Sequence, residues 1–170
     1  PGLYTNSLAY GATAQAPADE AVNFTVQLDE VSSLGVSFVN GTDGFLGDNP
    51  ADNIIEVAYG RDLGNGFNVF VGARSEEVSA SDVVNAYVTY ETGALMLAAE
   101  VIDADVLEAY QLLANYAYAD NASVTVRFTN VEALGLVEQD IVTIAHQLAL
   151  SDNLMLTTEF TDREVDQVFS

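Results

Sequence analysis

The chain has 170 residues and carries 26 acidic side chains against 4 basic ones, all arginine, for a formal net charge of −22. So little positive charge excludes nucleic-acid binding and docking on anionic headgroups through a basic patch, and makes small cations the natural partners of its field. Cysteine is absent, which removes disulfides, thiolate nucleophiles and cysteine-ligated metals.

A hydrophobic content of 49% beside that charge excludes a disordered acidic chain, and the length suits one domain, residues 1–170. No stretch approaches the roughly 18 apolar residues of a transmembrane helix. The opening Pro1-Gly2-Leu3-Tyr4 already reads as strand rather than signal peptide, as in a mature or trimmed form.

Apolar and polar residues alternate along most of the chain. Val22, Phe24, Val26 and Leu28 oppose Asn23, Thr25, Gln27 and Asp29. Val84, Ala86, Val88 and Tyr90 oppose Asn85, Thr89 and Glu91, and Val124, Val126 and Phe128 oppose Ser123, Thr125 and Arg127. A period of two means strands with one apolar and one polar face. About twelve strands are predicted, near residues 3–13, 21–30, 34–40, 54–61, 67–74, 83–91, 94–102, 107–118, 122–129, 139–149, 154–162 and 165–170.

Asp62-Leu63-Gly64-Asn65-Gly66, Thr92-Gly93, Asp120-Asn121 and Ser151-Asp152-Asn153 join adjoining strands through residues that accept tight-turn geometry. The alternate connections, residues 15–20, 41–53, 75–82, 103–106 and 130–138, tend to be longer and richer in acids. That pattern predicts an all-β, antiparallel up-and-down barrel with short turns at one end and longer acidic loops at the other. Two segments also fit helical spacing: Leu107, Tyr110, Leu113, Ala114 and Ala117, and Val137, Ile141, Ile144, Ala145 and Leu148.

The candidate site residues are weighed against blander roles. Asp43, Asp48 and Asp52 fall in an oxygen-rich stretch that suits a weak calcium site, but it lacks the EF-hand order of ligands, and a solvated turn explains it as well. His146 is the single histidine and is read as a lone polar strand residue; no G-x-S-x-G elbow supports a triad. No paired carboxylates sit in a recognisable catalytic setting, so no enzyme is expected and no cofactor beyond calcium. Asp29, Glu56, Arg74, Glu91, Glu100, Arg127 and Glu159 fall on polar faces. In a soluble sandwich they form the outer surface; in a membrane barrel they line the lumen. Tyr4, Tyr10, Tyr59, Tyr90 and Tyr118 lie near strand ends, where an interfacial girdle or plain strand propensity puts them.

The phrases AYGRDLGNGFNVFVGAR, NYAYADNASVTVRFTNVE and HQLALSDNLMLTTEFTDREVDQ resemble the strand–turn–strand wording of bacterial outer-membrane porins, nearest to their acidic, alanine-rich type. The likeness covers roughly residues 54–170 and, more weakly, residues 2–40. It implies outer-membrane lipid as a partner, a trimeric assembly, and passive diffusion through a wet lumen; the excess of acids over Arg74 and Arg127 on the polar faces then predicts a preference for small cations. The chain departs from the family in its shorter length, in lacking a clear inward-folded constriction loop, and in placing Ser170 after Phe169.

The alternative is a soluble acidic β-sandwich or barrel, secreted or at the cell surface, with a structural, assembly or adhesion role. Predicted strands 34–40, 54–61 and 67–74 favour it. They fall short of the about 9–11 residues of a tilted membrane strand.

Overall fold

The computed structural model describes residues 18–44, 47–76, 82–105, 107–133, 135–151 and 153–167. These form ten antiparallel strands in one sheet, each beside its neighbours in sequence. They are β1 (Ala18–Gln27), β2 (Ser32–Gly44), β3 (Gly47–Gly64), β4 (Phe67–Glu76), β5 (Val83–Thr92), β6 (Leu95–Ala104), β7 (Leu107–Ala119), β8 (Ala122–Ala133), β9 (Val137–Ser151) and β10 (Leu154–Gln167). The all-β meander expected from the alternation is therefore present, with ten strands among the described residues rather than about twelve. The expected strand at 3–13, with Tyr4 and Tyr10, lies outside the described residues. Residues 165–167, expected to open a separate last strand at 165–170, continue β10 unbroken to Gln167, and residues 168–170 lie outside the described residues.

Both segments with helical spacing are strands. Leu107–Ala119 is held between β6 and β8, and Val137–Ser151 between β8 and β10, with ladders along nearly their whole lengths. Tertiary pairing overrides the local spacing, because each backbone group finds its partner on a neighbouring strand.

The described parts of the expected long connections are largely strand. β2 continues through residues 40–44 and β3 through residues 47–53, with Thr42 opposite Asn49, Asp43 opposite Asp48 and Gly44 opposite Gly47. Asp43, Asp48 and Asp52 thus lie on a strand pair rather than in a loop, and their side-chain positions fall outside the described residues. Ladder bonds use only the backbone, so polar side chains do not stop a strand whose partner continues. Every strand has 10 residues or more, the longest being β3 with 18. The shortness that weighed against membrane spanning is gone.

Turn chemistry explains the hairpin between β3 and β4. Gly64, Asn65 and Gly66 all have positive φ, at 79°, 54° and 85°. Gly66 has a second reason to be glycine: an added Cβ would stand 2.0 Å from the Glu91 carbonyl oxygen on β5. That close approach lets the Gly66 carbonyl accept the Glu91 N–H at 2.9 Å.

The β1–β2 turn is organised by Asp29, whose Oδ1 accepts the Val31 N–H at 2.9 Å. The Ser32 hydroxyl first, then that N–H, hold the exposed Asp29 carboxyl below its ordinary 3.8. A depressed folded value means the turn is tightened above the unfolded pKa and loosens as pH falls through the lower folded one. Amide exchange at Val31 should accelerate on acidification below pH 3.8 in the native protein but not in Asp29→Asn. Equal acid response in both would remove Asp29 as the cause.

Candidate functional site: the inward face of the sheet

Register sorts the side chains into two faces. One carries Phe24 on β1, Val36 on β2, Val57 on β3, Val71 on β4, Ala86 on β5, Val101 on β6, Leu112 on β7, Phe128 on β8 and Val142 on β9. The other carries Asn23, Ser37, Glu56, Arg74, Asn85, Glu100, Gln111, Thr129 and Thr143 on the same strands.

Burial follows the face rather than polarity, with apolar Ile54 and Ile102 buried beside polar groups on the second face and large apolar side chains exposed on the first. Polar Ser37, Glu56, Asn85, Glu100 and Gln111 are 0–4% exposed, while apolar Val22, Phe24 and Val101 are 56–58% exposed. A sheet one layer thick hides one face when it curls toward it. The polar face is therefore inward and the apolar face outward. No ladder joins β1 to β10 among the described residues, so the curled sheet has two edges rather than a demonstrated barrel closure.

Buried polar groups must find partners. Ser37 donates to Asn23 Oδ1 at 2.5 Å across β1–β2. Asn85 Nδ2 donates to Glu100 Oε1 at 3.2 Å across β5–β6, and Thr129 Oγ1 to Gln111 Oε1 at 3.4 Å across β7–β8. Nearer the turns, Asn115 donates to Thr125 at 2.7 Å, and Thr143 and Thr161 meet at 3.4 Å. Glu56 stands directly opposite Arg74 in the β3–β4 register. Gly72 makes room for this network: an added Cβ would lie 2.7 Å from Asn85 Oδ1 and 3.1 Å from the Phe70 ring.

The sequence-derived candidates Glu56, Arg74, Glu91, Glu100, Arg127 and Glu159 all fall on the inward face. Asp29 does not; it belongs to the β1–β2 turn. Sequence reading missed the inward Phe70, Tyr87, Gln111 and Arg163. Phe70 and Tyr87 are ring-stacked at 4.8 Å with planes 12° apart. Counting parity from Asn85 would have found Tyr87, since Asn85, Tyr87, Thr89 and Glu91 share one side of β5.

The outward face has its own zoning. At the turn end it bears Tyr59, Phe67, Tyr90, Tyr116, Tyr118 and His146. Phe67 stacks on Tyr90 at 4.3 Å, and Tyr118 Oη lies 2.6 Å from His146 Nε2. His146 is thus a polar strand residue, as read from sequence, with an aromatic hydrogen-bond partner. At the other end Asp103, Glu108, Glu132, Glu138 and Asp166 stand in register across β6–β10. Asn130 reaches into this border, its Nδ2 donating to Glu138 and to Asp140, each at 2.9 Å.

Among the described residues no group of three or more His, Cys, Asp or Glu is placed to hold a metal ion.

No family model and no curated protein matches the chain. Solved structures do match. A porin refined at 1.8 Å superposes with a TM-score of 0.70 at 13% identity, over 85% of this chain and 56% of its own. OccAB2 of Acinetobacter baumannii gives 0.66 at 10% identity, over 87% and 49%. A loop-deletion mutant of OmpT, an outer-membrane protein of Vibrio cholerae, gives 0.69 at 18% identity, over 95% and 62%. These likenesses establish a porin-like antiparallel β-structure. The chain spans about half to three fifths of each protein it matches.

Proposed function

We propose that the chain forms wall of an outer-membrane diffusion channel, a non-enzymatic conduit for small solutes with a preference for cations. The observation that carries this reading is the inversion of the two faces: Glu56 and Glu100 are buried on the inside while Phe24 and Val101 are exposed on the outside. In water, so large an exposed apolar face is unstable against association. In a bilayer it is the lipid contact of a transmembrane barrel.

The zoning of the outward face supports the same placement. From Glu108 to Tyr116, β7 rises about 26 Å at roughly 3.3 Å per residue. A barrel-type tilt of about 40° would reduce this to about 20 Å, close to the ~25 Å apolar band of such barrels. Aromatic rings at one border suit one interface. Like charges opposite one another on neighbouring strands are unfavourable, so the acidic border fits water and headgroups rather than hydrocarbon.

On this reading Glu56, Arg74, Glu91, Glu100, Arg127 and Glu159 line the conduit, together with Asp62 and Arg163. Carboxylates outnumber guanidiniums there, and charge along a pore biases permeation. Detergent-purified protein in a planar bilayer should show a cation-preferring reversal potential under a potassium chloride gradient. The preference should weaken with salt, as the Debye length falls from about 10 Å at 0.1 M to about 3 Å at 1 M. Anion preference, or no conductance from folded protein, would overturn the reading. The size of the detergent-solubilised complex measures the trimeric assembly that the resemblance implies.

A structural or assembly role is the second reading. The absence of a β1–β10 ladder among the described residues favours it, since an open sheet encloses nothing by itself. Exposed strand edges also invite pairing with other strands. Here protein rather than lipid would cover the outward face. Release from membranes by a high-salt wash, without detergent, would favour this reading over the conduit.

A further inference from the structure

The inward face is not uniformly polar. Across β4–β7 it carries an apolar strip: Phe70, Tyr87, Ala98, Leu113 and Met96. Phe70 and Tyr87 are register partners, as are Ala98 and Leu113. The Phe70 and Tyr87 rings lie stacked at 4.8 Å. Phe70 is buried beneath, whereas Tyr87, Met96 and Leu113 stay partly open. A wet polar wall has no need of a stacked aromatic pair with aliphatic neighbours.

Along β5 and β6 an acid stands at each end of the strip. Glu100 stands opposite Tyr87, and the exposed Glu91 stands opposite Met96. The Asn85 amide holds Glu100 Oε1 at 3.2 Å, so that carboxylate is fixed beside the ring pair. On the far side, Arg127 of β8 stands opposite Leu113. A ring face attracts cations through its quadrupole, and flanking carboxylates add to that attraction.

We propose that this strip is a binding subsite for organic cations with a flat apolar body, such as aromatic ammonium compounds. The body lies on Tyr87, Met96 and Leu113. The cationic end points toward the exposed Glu91, away from Arg127. This rests on the conduit reading and names the solute class that the inner wall delays.

The experiment compares two monovalent cations as blockers of potassium current in planar bilayers. Phenyltrimethylammonium has the ring and tetramethylammonium lacks it. The native protein should be blocked by the ring-bearing cation at about tenfold lower concentration. Tyr87→Leu keeps the bulk but removes the ring, and should abolish that advantage; Tyr87→Phe should retain it. Equal block of the native protein by both cations overturns the subsite, whatever the variants do. So does a ring advantage that survives Tyr87→Leu.

Potassium conductance without blocker tests the conduit itself. If it is absent, the conduit fails and the subsite is tested in detergent. There phenyltrimethylammonium should shift the Met96 methyl resonance and tetramethylammonium should not. The absence of that difference overturns the subsite as well.

Discussion

Val126→Arg should lower stability in bilayer refolding titrations by about 2–4 kcal/mol if the outward face meets lipid as proposed, the cost of a cation near the midplane of a transmembrane barrel. Val126 is 46% exposed on the outward face, in register with Ala114 on β7 and Ile144 on β9. It lies between the aromatic and acidic borders, one register step from the midpoint at Leu112 and Phe128. The same position argues against a soluble core. Truncating a packed core phenylalanine costs about 3–5 kcal/mol, largely through the cavity left behind. Phe24 is 57% exposed and leaves no enclosed cavity, so Phe24→Ala should cost well below that range. A near-neutral Val126→Arg would mean that the outward face is not in hydrocarbon. A full core-sized loss for Phe24→Ala would mean that protein covers it.

Gly66→Ala should destabilise the β3–β4 hairpin by more than about 2 kcal/mol, because positive φ and a backbone collision add. The φ of 85° alone disfavours any Cβ. The new atom would also stand 2.0 Å from the Glu91 carbonyl oxygen, a backbone atom that no rotamer change can move. Relief requires shifting β5 and losing the 2.9 Å bond from Glu91 N–H to the Gly66 carbonyl. Gly64→Ala is the natural control: its φ is 79°, but nothing lies within 4 Å of an added Cβ. It should therefore cost the conformational part only. Urea or guanidinium midpoints of the two variants separate strain from collision. Equal losses would show that β5 yields freely.

The alternation in the chain determined the strands and their two faces. Val22, Phe24 and Val26, with Val84, Val88, Val124, Val126 and Phe128, do share one side, because adjacent side chains on a strand must point oppositely. Leu28 falls in the turn after β1. The turn residues placed the hairpins, since positive φ is a local demand met by Asn and Gly.

Strand ends were less legible. Asn40-Gly41-Thr42-Asp43-Gly44 has the composition of a turn, yet pairs with β3, because a ladder depends on a partner backbone. Leu107–Ala119 has helix-compatible spacing, yet forms a strand for the same reason. Which face is inside was not written in any single strand. A side chain's face is defined relative to its own strand, whereas inside and outside belong to the curvature of the whole sheet. Only that curl put Glu56, Glu100 and the Phe70–Tyr87 pair on one inward wall and left the apolar face outward.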